Sequence, residues 1–329
     1  MSTTTTTTTL SAEMKTFYDM RLIDEASPML VHEQFGQKRP IPQGGGKTVN
    51  FRRFSPLAKA TTALTEGVTP SGSNLSVSSV SATVAQYGDF VVQSDVLELT
   101  AVDNTILETT KLLGRQAGLT MDTIVRNALL LGTNKSYAPK FVADTNGVLV
   151  ETEVTKAADL DSSAKLTVDV VQRVVAKLRA QNAPTIGGDY VCIIHPYVAY
   201  DLMRDPEWID AHKYAAPENL YTGEIGKLAG VRFVQSTEAK IDKGGSSNPS
   251  DLAVFHCLFI GDGAYGVTEV TGGGLQTIVK QKGSSGTADP LDQRSSVGWK
   301  GLKAAKILVD NYLVDLMCCS KFSSTATAN

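Results

Sequence analysis

Residues 1–92 are built for extension and carry no core of their own, and this limits the fold more than any other feature of the chain. Residues 1–11 form a threonine-rich tail whose composition predicts disorder. Residues 12–48 hold one short helical stretch, MKTFYDMRLIDEA, then a Gly/Pro/Gln-rich run through Pro40, Pro42 and Gly44–Gly46. From Lys47 to Phe54 the residues alternate as a strand does, with Val49 and Phe51 on one side and Asn50, Arg52 and Phe54 on the other. A second strand-like region runs from Leu75 to Val92. Its apolar phase is odd at Leu75 and Val77 but even at Val80, Ala82 and Val84, and that slip predicts a bulge or bend. The link between them, SPLAKATTALTEGVTPSGSN, is rich in turn residues such as Gly67, Pro70 and Gly72. An isolated two-stranded excursion is marginal in water. This one needs a surface supplied by something else.

The rest of the chain can build a core. Residues 103–131 form the clearest helical region: Asp103 is the expected N-cap, and Ile106, Leu107, Leu113, Ala117, Ile124, Val125, Ala128 and Leu129 make an apolar stripe. Gly118 and Thr120 are expected to kink or break it, and Gly132 to close it. A second amphipathic helix is expected over 168–181, capped by Thr167, with Pro184 just beyond its end. Short elements follow: strand YVCII (190–194), helix PYVAYDLM with Pro196 in its first turn, and strands VRFVQS, AVFHCLFI and LQTIVK. The apolar run AAKILVDNYLVDLMCC (304–319) reads better as strand than as helix. The class is α+β, with β-rich parts dominating.

At 329 residues the chain can bury a substantial core without staples. A net charge of −3 argues against a dedicated nucleic-acid binder, which normally carries a basic surplus. The four cysteines, Cys192, Cys257, Cys318 and Cys319, include no CxxC pair, so a reduced cytoplasmic protein is expected. MSTTTTTTTLSAE has neither a basic nor an apolar region and does not read as a signal peptide. The longest apolar run, LAVFHCLFI, is far shorter than the ~20 residues that span a bilayer.

Two stretches imitate nucleotide sites. Gly46, Lys47 and Thr48 match the end of a phosphate-cradling P-loop, but its first glycine position is Ile41 and an alternating strand follows instead of a helix. GDGAYG (261–266) satisfies GxGxxG, yet the β-branched VTEVTGGG follows where a helix is required. Among His32, His195, His212 and His256 none has a partner at metal-ligand spacing. His256 reads as a satisfied core or interface residue and His195 as the end of a strand. No GxSxG elbow or other catalytic constellation is present. The expectation is a protein with no catalytic, cofactor or metal residues.

Six stretches, in order and spacing, resemble the tailed-bacteriophage major capsid proteins, most closely the N4-like subgroup. They are FGQKRPIPQGGGKTVNFRRF, LTEGVTPSGSNLS, VAQYGDFVVQSDVLELTAVDNTILETTKLLGRQAG, GGDYVCIIHPYVAYDL, LYTGEIGKLAGVRFVQST and DPLDQRSSVGWKGLKAAKIL. The resemblance covers about residues 15 to 320 and implies the Hong Kong 97-like capsid fold. That fold predicts an N-terminal arm (1–48), an extended loop (49–88), a peripheral domain (89–185) with a spine helix (103–131), and an axial domain (186–264). Residues 265–329 would return to the peripheral domain, with the last strand able to rejoin the axial one.

An arm and hairpin without a core then make sense as segments ordered by neighbouring subunits, in heterologous contacts that close into rings. Arg52, Arg53, Lys59 and Glu66 are the expected inter-subunit ion-pair residues. The expected partners are copies of the chain in pentamers and hexamers, scaffolding, portal and decoration proteins, and packaged double-stranded DNA held weakly; no membrane partner is expected. Assembly in the host bacterial cytoplasm and residence in the virion follow. About 45 residues precede the loop, which leaves no room for a large internal scaffolding segment, so a separate scaffold or none is expected. An encapsulin-like nanocompartment shell stays open as an alternative, and so, more remotely, does a nucleotide-binding enzyme using Gly44–Thr48 or Gly261–Gly266.

Overall fold

A computed structural model describes residues 20–26, 29–40, 46–54, 57–69, 72–100, 105–215, 226–243, 251–268, 275–283 and 290–329. The threonine tail, Gly44, Gly45, Pro70 and the expected cap Asp103 lie outside them.

The chain begins with helix α1 (residues 20–26) and strands β1 (Gln37–Arg39), β2 (Thr48–Phe54), β3 (Val77–Thr83) and β4 (Ala85–Ser94). Helices α2 (Asp95–Thr100) and α3 (Thr105–Leu129) follow, then strands β5 (Lys135–Tyr137), β6 (Lys140–Ala143) and β7 (Leu149–Thr152). After helix α4 (Val168–Ala180) come β8 (Tyr190–Ile194), α5 (Pro196–Met203), α6 (Pro206–Ala215), β9 (Lys227–Leu228), β10 (Val231–Gln235) and β11 (Ile241–Lys243). The chain closes with β12 (Ala253–Ile260), β13 (Tyr265–Thr268), β14 (Leu275–Lys280), β15 (Arg294–Lys303), β16 (Ala305–Ile307) and β17 (Leu313–Cys318).

The largest sheet has the order β5-β17-β12-β8-β10-β9, with β11 added to β12. Strands β8, β12 and β17 are buried at every position, as continuous apolar runs require when both faces are covered. One face, with Cys192, Ile194, Phe255, Cys257 and Phe259, packs on Val170, Val171, Val174 and Leu178 of α4. The other, with Val191, Ile193, Leu258 and Ile260, packs on Val125 and Leu129 of α3. The cap of α4 is as the sequence predicts, Thr167 accepting from the Val170 amide. Helix α5 is opened by Pro196 and capped by the His195 ring. Strand β5 and helix α4 share this core with β8, β10 and β12.

A second sheet, β14-β15-β4, is covered on one face by the first half of α3, where Leu113, Ala117 and Met121 meet Leu275, Val297 and Trp299. Helix α3 is unbroken over 25 residues, about 37 Å at 1.5 Å per residue. The expected kink at Gly118 and Thr120 is absent, for a physical reason. Thr120 Oγ1 donates back to the Gln116 carbonyl within the helix, and Gly118 is the seat on which α1 lies. A Cβ at Gly118 would stand 2.6 Å from the Ala26 carbonyl oxygen, and one at Gly114 3.0 Å from that of Leu22. Gly118→Val is therefore expected to destabilise the fold by about 1–3 kcal/mol, the usual cost of overpacking. Thermal melting beside a solvent-facing control on the same helix, Leu112→Val, checks this.

The expected bulge in the second strand region is also absent. Strands β2 and β3 pair without interruption from Thr48↔Thr83 to Phe54↔Val77. The change of apolar phase marks where burial stops: Ala82 is covered, whereas Val77 and Leu75 are exposed. The real discontinuity is at Val84, where the chain leaves β2 and enters a ten-residue pairing with β15, from Ala85↔Lys303 to Ser94↔Arg294. The final apolar run is strand, as expected, but in two pieces. Strand β16 joins β13 and β1 in a small sheet, and β17 returns to the large one.

Three buried polar contacts hold these layers. Lys303 Nζ lies 2.6 Å from Glu33 Oε2, His32 Nδ1 lies 2.6 Å from Asp122 Oδ2, and His256 sits between Asp315 (3.0 Å) and Asp242 (3.1 Å). Burial alone would lower the His256 pKa, but the hydrogen bonds to Asp242 and Asp315 outweigh it and raise it to about 9. Asp242, bonded to His256, is held at about 2. A histidine whose folded pKa exceeds its unfolded value of 6.5 adds stability below that value and loses it as pH rises through 9. Melting temperature is thus expected to fall between about pH 6.5 and 9, on the order of 3 kcal/mol in all. In His256→Asn that slope should vanish, and a parental slope in the variant would assign it to another group.

Candidate assembly surfaces

The long loop is fixed at its root and free beyond it. Phe51 is fully buried against Gly266, where a Cβ would stand 2.4 Å from the ring. Val49, Ala82, Ala304 and Leu308 complete a small cluster that ties β2–β3 to the β1-β13-β16 sheet. Beyond it Phe54, Leu57, Leu64, Val68, Leu75 and Val77 are all at least half exposed.

The four residues expected at inter-subunit contacts are spread along this loop rather than gathered. Arg52, Lys59 and Glu66 are exposed and make no ion pair among the described residues. Arg53 Nη1 reaches back to the Leu308 carbonyl at 3.5 Å and so partly secures the root.

Two further apolar surfaces escape the sequence reading. On the outer face of β14-β15-β4, Phe90, Val92 and Ile278 are exposed around Gly298, whose Cβ would strike Phe90. The run Phe90-Val91-Val92 hides the alternation that would reveal this face. The β6–β7 hairpin exposes Phe141, Val142, Val148, Leu149 and Val150. Its turn was legible in principle from DTNG. Asp144 Oδ1 accepts from the Asn146 and Val148 amides, and Gly147 takes φ of 79°. Contiguous exposed apolar patches of this kind mark interaction sites.

The nucleotide lookalikes resolve as strand entrances. Gly46, with φ of 88°, leads into β2. Gly263, with φ of 67°, turns the chain into β13, so a strand stands where a pyrophosphate site needs a helix N-terminus. His32, His195 and His256 are engaged by Asp122, the Tyr197 amide and the two aspartates respectively; the side chain of His212 lies outside the described residues. The four cysteines are free and buried, with Cys257 Sγ 3.7 Å from Cys318 Sγ, and burial pushes the Cys192 thiol well up. Among the described residues no three His, Cys, Asp or Glu side chains are grouped to hold a metal. Nor is any helix among them long and apolar enough to cross a membrane.

Two sheets share one helix, and a loop, a sheet face and a hairpin turn apolar residues away from the core. The family model described as phage capsid protein matches residues 77–313. The chain belongs to that phage capsid protein family.

Solved structures agree in fold. The capsid of Ralstonia phage GP4 superposes with a TM-score of 0.63 at 15% identity, covering 87% of each chain. The capsid of the cyanophage P-SCSP1u gives 0.61 at 15% identity, again covering 87% of each. The head of Helicobacter pylori bacteriophage KHP40 gives 0.61 at 14% identity, covering 87% of this chain and 88% of that one. The fold is the Hong Kong 97-like capsid fold, and its place is the virion. No curated protein sequence matches the chain.

Proposed function

We propose that copies of this major capsid protein assemble through their loops into pentamers and hexamers. These would close as an icosahedral shell around double-stranded DNA. The observation that carries this is the loop itself, anchored by Phe51 and lined beyond it with apolar residues that have no cover in their own subunit. Buried apolar area is the main driving force for association. Family membership favours the phage reading over the nanocompartment one. The chain acts as a structural, non-enzymatic protein of the N4-like subgroup, assembled in the host cytoplasm with scaffolding, portal and decoration proteins as further partners. Its weak acidity suits a container that must release its DNA, since a basic lining would grip phosphates.

The axial unit in this reading is the seven-stranded sheet with helix α4 packed on it. The spine helix and the β14-β15-β4 sheet form the peripheral unit. Negative-stain electron microscopy with light scattering on the purified chain is expected to show rings, tubes or shells. A monomer at tens of micromolar would overturn self-assembly.

Arg52, Arg53, Lys59 and Glu66 contribute to inter-subunit contacts as exposed pairs, each worth about 0–1 kcal/mol. Glu66→Gln is therefore expected to raise the assembly threshold concentration by no more than about fivefold per contact. A larger shift, measured by light scattering across a dilution series, would mean that Glu66 is buried at the contact.

A further inference from the structure

We propose that the β6–β7 hairpin of one copy docks in a cationic, aromatic cleft on the large sheet of the next copy. The proposal rests on the shell reading above and adds a second, separate contact to it.

The cleft, about 710 Å³, lies where β17 ends and α5 turns into α6. Tyr200 and Phe322 line it and are 38% and 56% exposed. The Phe322 ring is backed by Tyr197 at 4.5 Å and meets Tyr200 edge-on at 5.3 Å; the Arg204 guanidinium stands 5.6 Å from the Tyr200 ring centroid. Three cations, Lys165, Arg204 and Lys321, line the same cleft with two carboxylates. The three cations outnumber the two carboxylates and leave the lining a surplus of positive charge. Asp201 accepts from the Lys321 amide at 2.8 Å, and Asp205 accepts from the Val168 and Glu207 amides at 3.0 Å each. The cations have no carboxylate partner among the described residues. An occupant that is apolar and acidic is what such a cleft takes.

The hairpin has that chemistry. Phe141, Val142, Val148, Leu149 and Val150 are exposed on it, and residues 140–153 carry Asp144, Glu151 and Glu153 against one ammonium, Lys140. The long loop has the opposite sign, with Arg52, Arg53 and Lys59 against Glu66.

Position agrees as well. The Ala138 amide, leading into the hairpin, bonds to the Met317 carbonyl, and Lys165 is bridged to Cys319, so hairpin and cleft lie at the same end of the sheet. No residue of the hairpin lines the cleft. A rotation about an axis near that end brings the hairpin of one copy to the cleft of the next, the heterologous arrangement that closes rings. Its own subunit holds the hairpin outward: the Phe141 amide bonds to Ser163 Oγ, and Glu151 pairs with Arg173 on α4 at 2.6 Å.

The test is a charge exchange. A cleft variant carries Arg204→Glu and Lys321→Glu; a hairpin variant carries Leu149→Arg and Glu153→Arg. Each is expected to melt like the parent and to lose at least tenfold of the assembled material seen by light scattering and microscopy. Both sets in one chain should recover most of it. Parental assembly in either variant, or no recovery on combination, would overturn the contact. So would a cleft variant that assembles normally but no longer retards a short single-stranded DNA, which would make the cleft a nucleic-acid site. A parent that forms no rings at all overturns the shell reading first, and this contact with it.

Discussion

Removal of residues 55–74 is expected to leave a folded subunit that no longer forms shells. Phe54 and Val77 are directly paired, so the deletion leaves a two-residue connection at 75–76, which closes a hairpin once Asn-Gly replaces Leu75 and Ser76. The root is untouched, because Phe51, Val49 and Ala82 pack below the cut against Ala304 and Leu308. Lost instead are Leu57, Leu64 and Val68, each more than half exposed in the isolated subunit. Burying one such side chain at a contact is worth about 1.5–3 kcal/mol. Each subunit would forgo several of these, and every 1.4 kcal/mol is tenfold in affinity. A loss of assembled material of about 100-fold or more should follow, with a melting temperature close to the parent's. Normal shells from the deletion would remove the loop from the assembly contacts.

The second large effect is inside the subunit. Lys303 and Glu33 are buried together, with side-chain exposures of 0% and 6%, and Lys303 Nζ also donates to the Thr268 carbonyl at 3.0 Å. Burial pulls the Lys303 pKa down and the Glu33 charge opposes that pull. In Lys303→Met the Glu33 carboxylate would stay buried without a partner, a loss of about 3–5 kcal/mol. Adding Glu33→Met should restore most of it, since an apolar pair of similar volume is often neutral or better than an ion pair. Urea unfolding of both variants checks this. A single variant within about 1 kcal/mol of the parent would show that water reaches the site. The pair joins the segment after α1 to strand β15, so its loss should also loosen the seat of the arm.

Legibility followed periodicity. Strands AVFHCLFI and LQTIVK, the cap Thr167 and the helix-opening Pro196 were readable because local pattern decides them. Gly118 misled because a glycine in a helical pattern signals weakness when read alone. Only the approach of Ala26, ninety-two positions earlier, shows it to be a packing seat. The make-up of the large core was hidden for a similar reason, as β5, α4 and β17 converge from distant parts of the chain. Of the assembly surfaces, the loop was legible from its missing core. The Phe90 face and the β6–β7 hairpin were not, since apolar residues exposed on the subunit look like core residues in sequence.

Helix α3 contributes to two cores at once: Leu113, Ala117 and Met121 to one, Val125 and Leu129 to the other. A rod shared in this way stops the two sheets from swivelling against each other. The subunit is therefore a stiff tile. Five-fold and six-fold rings of one sequence differ in curvature, and a stiff tile cannot absorb that difference by bending. In the proposed rings the angle would be taken up at the edges, where the apolar residues of the loop beyond Phe51 are exposed.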